Sequence, residues 1–164
     1  MIHIPSDHWH IAIDPGASGG IAWKNGDGPM MAVAMLQEPT DTVKLLSDLV
    51  VKGYTVLHIE QLPRFVPMGG GKGIPGSMAA VMFENFGIVL GAAMALGYRI
   101  ERVTPQAWQK ELGLGTSKGL SKTEWKNKLK GRAQELFPNI PITLKTADAL
   151  LIWEFGRRKI DKSY

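Results

Sequence analysis

Three carboxylates stand where an acid can do chemistry. Asp14 ends the apolar run Trp9 to Asp14 (WHIAID), and the small-residue segment Pro15-Gly16-Ala17-Ser18-Gly19-Gly20 follows at once. Such residues leave room for a cation and a phosphate to approach the backbone. Glu60 ends a later run, Tyr54 to Glu60 (YTVLHIE). Asp148 lies among apolar neighbours in TADALLIW, where an acid must face a partner, because burying an unpaired charge is costly. Singly, each has an ordinary structural reading: a turn cap, an exposed strand end, a complement to a helix dipole. Together, at two strand ends and a helix start, they can hold two divalent cations roughly 4 Å apart. Such a pair clamps the attacking water and the departing oxygen of a phosphodiester.

The elements that must position these acids can be read from the hydrophobic pattern. Trp9 to Asp14, Gly19 to Trp23 and Met30 to Leu36 read as three strands, the last two joined by the hairpin signal Asn25-Gly26-Asp27-Gly28. Thr40 is expected to cap a helix through Val51, with Val43, Leu46 and Val50 at helical spacing. Tyr54 to Glu60 is a fourth strand and Tyr98 to Val103 a fifth. Ser77 to Gly97 reads as a long helix, apolar on most sides and therefore expected to be largely buried. Thr104-Pro105 opens a short helix, and the capping box Ser121-Lys-Thr-Glu124 opens a basic one to about Phe137. A last helix is expected from Leu144 to Arg158. The fold class is α/β: a five-stranded mixed sheet flanked by helices, in a single domain over residues 1–164. If the first and fourth strands are neighbours, Asp14 and Glu60 emerge at one edge of the sheet.

Composition narrows the class. The 164 residues are 45% hydrophobic and 21% charged, as in an average globular protein. No apolar run approaches the roughly 20 residues of a membrane span; the longest, Phe86 to Leu96, reads as a buried helix. MIHIPSDHWH has no secretion-signal pattern. Cysteine is absent, so neither disulfides nor thiolate metal sites are available. That fits the cytoplasm. The net charge of +4 is unevenly spread. Residues 1–109 carry 7 Lys/Arg against 9 Asp/Glu, and residues 110–164 carry 12 against 6. A basic C-terminal third suits a polyanion, though a solvated basic face has the same signature.

Four segments, in order, resemble the RuvC-type Holliday junction resolvases of the ribonuclease H-like superfamily. IAIDPGASGGIAW resembles their first motif and HIEQLP their second. The stretch from Phe83 to Leu114 resembles phage and organellar members, and KTADALLIWEFGRRK their C-terminal motif. The match runs from about residue 11 to 159. The resemblance implies a ribonuclease H-like fold and a homodimeric endonuclease that uses Mg²⁺ or Mn²⁺ and cuts four-way or branched DNA. It also implies a bacterial or phage origin. Carried over by position, Asp14, Glu60 and Asp148 are metal ligands and catalytic. The resemblance places a fourth ligand, Asp or His, three residues before the last acid, where this chain has Lys145. On a continuous helix Lys145 would share the face of Asp148. A protonated lysine cannot ligate a metal, but it can contact a phosphate or weaken a second ion's binding. Glu154, six positions on and about 240° round the helix, does not replace the missing ligand.

Nucleic acid would be held by the basic segments. Lys122, Lys126 and Lys130 recur every four residues, making one stripe along a helix, with Lys118 before it and Arg157 and Arg158 beyond. The Arg pair has a structural alternative as a helix C-terminal charge. Gln61 to Gly76 reads as a mobile Gly/Pro-rich loop carrying Arg64, Phe65 and Lys72 near the site. Phe65 could stack on an unpaired base, with ordinary loop packing as the rival. Gly69-Gly70-Gly71-Lys72-Gly73 is no P-loop, since no Ser/Thr follows the lysine. His58, Trp108 and Trp153 read as core or face residues, and Asp7, His8 and His10 as a poor metal site. The Asp-x-Gly turn also occurs in two-domain actin-like ATPases, which need more chain than this. The nearer rival is a protein of the same fold that binds branched DNA with little or no cleavage, a reading kept alive by Lys145.

Overall fold

The computed structural model describes residues 9–24, 28–51, 54–62 and 76–161. Five strands form one sheet: β1 (His10–Asp14), β2 (Gly20–Lys24), β3 (Met30–Ala34), β4 (Val56–Glu60) and β5 (Arg99–Val103). Their order is β3-β2-β1-β4-β5. β1 pairs antiparallel with β2 and β2 with β3, whereas β4 lies parallel to β1 and β5 parallel to β4. This is the mixed sheet the pattern predicts. The first and fourth strands are neighbours, as the site requires, with Ile13 opposite Ile59.

Side chains alternate across a strand, so the sheet has two different faces. Ile11, Ile13, Ile21, Leu57 and Ile59 point to one side and pack with residues of α1 (Pro39–Leu49) and α2 (Gly76–Leu96). Ala12 and Ala22 point to the other, against α3 (Pro105–Glu111), α4 (Lys122–Leu136) and α5 (Ala147–Asp161). His10, Asp14, His58 and Glu60 share the parity of Ala12 along β1 and β4 and therefore this second face. The small alanines let α5 settle close to β1 and β2. That proximity is what brings a helix carboxylate to the ends of two strands.

Helix starts follow their capping chemistry, with two departures. Thr104 caps α3 by accepting from the Ala107 N–H, and both halves of the Ser121–Glu124 capping box close on α4. α1 is capped two residues before the expected Thr40, with Glu38 as the cap and Pro39 at the first helical position. α5 begins at Ala147, not Leu144, because Leu144–Thr146 form a turn held by Thr143. The Thr143 Oγ1 accepts from the Lys145 and Thr146 N–H groups, both at 3.3 Å.

The long helix corrects an expectation. α2 has 21 residues, long and apolar enough by length and composition to cross a membrane. Only Ala79, Val89, Leu90 and Ala93 are buried, while Met78, Val81 and Met94 are more than half exposed. Apolar composition was the basis for expecting burial. The described part of the chain has elements enough to cover only one side of this helix.

Candidate active site

β1 and β4 run parallel and in register, so the residues after Ile13 and Ile59 reach the same sheet edge. Those residues are Asp14 and Glu60. Asp14 is 9% exposed, and its Oδ1 accepts from the Gly16 N–H at 3.2 Å. Gly19 folds back so tightly that any Cβ there would overlap Asp14, so the glycine is needed to close the turn. At Gly20 a Cβ would meet the Lys145 carbonyl at 2.6 Å and the Val33 carbonyl at 2.7 Å. Gly19 and Gly20 are therefore glycines because Asp14, β3 and the turn before α5 leave no room for a Cβ.

Glu60 is held by Trp108, whose indole N–H donates to Oε2 at 2.9 Å. Sequence reading places Trp108 in the core, and it is indeed buried. Its polar edge nevertheless serves the site. The signal was available: a buried indole N–H needs an acceptor, and Glu60 is the acid that this core reaches.

Asp148, in the first turn of α5, is 6% exposed. Its Oδ2 accepts from the Lys126 ammonium, while its Oδ1 is buried without a hydrogen-bond partner. Lys126 was expected on an exposed DNA-binding stripe with Lys122 and Lys130. The structure turns it inward. Leu129 and Ala133 are the buried residues of α4 and belong to the cluster built on α5. Lys126 lies on their face, one turn earlier, and so must point at α5. The i+3 and i+7 positions of two apolar anchors were the legible sign of this.

Lys145 is corrected in the opposite direction. It lies in the turn before α5, so the shared-helix-face argument does not apply to it, and its side chain is exposed. It forms no ion pair with the three acids; Lys126 pairs with Asp148 instead.

Electrostatics tie the acids into one unit. Burial raises the Asp14 carboxyl above its ordinary range, and Asp148 adds to this; the Gly16 N–H and Lys126 oppose. Glu60 is pushed up to about 7 by burial and then by Asp14, against the Trp108 hydrogen bond and Lys126. Burial alone would lower the Lys126 ammonium, but Asp148, then Asp14 and Glu60, outweigh it and hold it above its ordinary value. The site has more negative charge than its surroundings neutralise. Buried carboxylate oxygens are the donors that hard cations such as Mg²⁺ and Mn²⁺ take, and the unpartnered Asp148 Oδ1 is one such donor. Among the described residues, however, no three Asp, Glu or His side chains converge on one ion position. The donor chemistry fits a divalent ion, whereas a closed cage is not preformed.

The remaining expected residues fall elsewhere. Lys118 and Lys122 are exposed and Lys130 is partly so, leaving Lys122 and Lys130 on either side of the inward-turned Lys126. Lys128 stands over the Trp125 ring at 5.6 Å. Arg157 and Arg158 both donate to Glu154, at 2.9 and 2.7 Å, which is how that buried acid is satisfied. Arg64, Phe65 and Lys72 lie outside the described residues, as do Asp7 and His8. His10 and His58 are buried and stacked, with Nδ1 of the first 2.8 Å from Nε2 of the second. Burial, and then His10, push His58 down to about 3. Trp153 donates its indole N–H to the His10 carbonyl at 2.9 Å. These residues form a polar seam in the core, well suited to fix α5 on β1.

No family profile and no curated protein matches the sequence. Solved structures do match the fold. One is T. thermophilus RuvC in complex with Holliday junction substrate, with a TM-score of 0.54 at 16% identity, covering 91% of this chain and 96% of that one. Another is a Thermus thermophilus RuvC structure, with a TM-score of 0.53 at 15% identity, covering 92% of this chain and 96% of that one. The chain thus has the fold seen in these RuvC structures.

Proposed function

We propose that this chain is a metal-dependent endonuclease that cuts four-way or otherwise branched DNA. The observation that carries the reading is the trio of the buried Asp14 and Asp148 and the half-buried Glu60, drawn from two parallel strand ends and a helix start on this fold. The junction-bound RuvC of the same fold supports the branched substrate. Asp14, Glu60 and Asp148 would hold Mg²⁺ or Mn²⁺, which when bound supplies an activated water and charge stabilisation for phosphodiester hydrolysis. Trp108 orients Glu60, Gly16 orients Asp14, and Lys126 orients Asp148. Lys118, Lys122 and Lys130 supply exposed positive charge for the phosphate backbone.

The homodimer belongs to the same proposal. Met78, Val81 and Met94 expose an apolar surface on α2. A Cβ at Gly87 or Gly91 would meet nothing within 4 Å, so both glycines leave the helix open to close approach. A second copy of α2 would cover this surface and place two acid sites on one junction.

Incubating the protein with a labelled four-way junction and Mg²⁺ or Mn²⁺ tests the activity. Cleavage is expected, with a loss of about a hundredfold or more in Asp14→Asn. Tight junction binding with no cleavage in either metal would favour the non-cutting rival. Trp108→Phe, which keeps an aromatic ring in the core but leaves Glu60 without its donor, is expected to lose about tenfold to a hundredfold.

A further inference from the structure

We infer that the Lys126 ammonium acts as a built-in cation of the carboxylate site, so that the site takes one divalent ion where the acid trio alone would take two. The inference rests on the reading of Asp14, Glu60 and Asp148 as a divalent-metal site.

Four observations lead to it. Lys126 is joined directly to Asp148 Oδ2 and is itself largely buried, its side chain 23% exposed against 9% for Asp148. Its charge also opposes the burial that raises the Asp14 and Glu60 carboxyls. Its place is fixed by packing: Leu129 and Ala133, on the same face of α4, are fully buried against α5. Finally, the oxygen set is small. Lys145 is exposed in a turn, and no three acids converge on one point among the described residues.

Charge and donor counting then favour a single ion. Three carboxylates, one ammonium and one divalent cation are neutral together. A second divalent cation would leave two uncompensated positive charges in a buried site, which is costly in low dielectric. Asp148 can serve both roles at once, with Oδ2 on the lysine and the unpartnered Oδ1 left for the ion. A lysine positioned this way stabilises charge as a metal would, but contributes no coordinated water. The second cation is thereby supplied by the chain and needs no recruitment from solution.

The test counts ions on the full chain without DNA, by calorimetric titration with Mn²⁺ and by the loss of the free Mn²⁺ paramagnetic resonance signal. The expected stoichiometry is one ion per chain in the wild type and in Lys126→Arg, and two in Lys126→Gln. Two ions in the wild type would overturn the inference and leave the nuclease reading standing; this holds even if Lys126→Gln does not fold. One ion in both the wild type and a folded Lys126→Gln would also overturn it, because the lysine would then hold no cation's place. No binding in any of the three proteins would remove the metal site itself, and the inference with it.

Discussion

α5 and α2 are both read from sequence as apolar helices, and the structure treats them oppositely. α2 has the more apolar sequence (GSMAAVMFENFGIVLGAAMAL), yet only four of its residues are buried. α5 (ADALLIWEFGRRKID) carries three acids, two arginines and a lysine, yet every residue from Ala147 to Gly156 is buried. The difference lies in what covers each helix. α5 lies on β1, β2 and β4 with α3 and α4 at its other sides. α2 meets α1 and β5 and has one side left over. Burial therefore tracks the number of packing partners, not the composition of the helix. The two buried acids of α5 are accommodated because each has a cation: Asp148 has Lys126, and Glu154 has Arg157 and Arg158.

The largest expected effect tests the buried helix. Leu150 is fully buried in the cluster between the sheet and α4, and Leu150→Ala should cost about 3 kcal/mol in denaturant unfolding. A cost below about 1 kcal/mol would mean that α5 is not packed as described. Gly156→Ala comes next. A Cβ there would overlap the His58 imidazole, which is fixed by His10, so a loss of roughly 1–3 kcal/mol is expected.

An effect of intermediate size comes from Glu60. Its value in the folded protein, about 7, lies above the ordinary 4.5, so folding takes up a proton between those values. The contribution of Glu60 to metal-free stability should therefore be fully present below about pH 4.5 and lost as pH rises through about 7, while His58, held down to about 3, contributes in the opposite sense over much of that range. Relative to Glu60→Gln, the wild type should lose thermal stability as pH rises from about 4.5 to about 7, and a difference that stays constant across that range would contradict the reading. The smallest effect on monomer stability is expected on α2. Val81→Ser and Met94→Ser should each change unfolding of the monomer by less than about 0.5 kcal/mol. In sedimentation velocity the pair together should shift a dimer to monomer. A dimer unmoved by both changes would put the subunit contact elsewhere.

Much of this architecture was legible because its signals are local. Strand runs ending in Asp14 and Glu60, the Thr104-Pro105 start and the Ser121 capping box each depend on a few adjacent residues, and each appears as read. What was missed depends on contacts between distant elements. Lys126 looks like any residue of a basic stripe until α4 is laid on α5. Trp108 looks like plain core until its indole edge meets Glu60, 48 positions away. Lys145 was misplaced by three residues of turn held by Thr143, a local exception in a segment read as continuous helix. The exposure of α2 had no local sign at all, since nothing in its sequence says how many neighbours it will have.

The central claim is that Asp14, Glu60 and Asp148 form a divalent-cation site with Lys126 beside it. Anomalous diffraction from crystals soaked in Mn²⁺ tests it most directly. One manganese peak among the three carboxylates, with the Lys126 ammonium still on Asp148, is the predicted result. No peak at these acids, in crystals that diffract well and are saturated with the ion, would contradict the account.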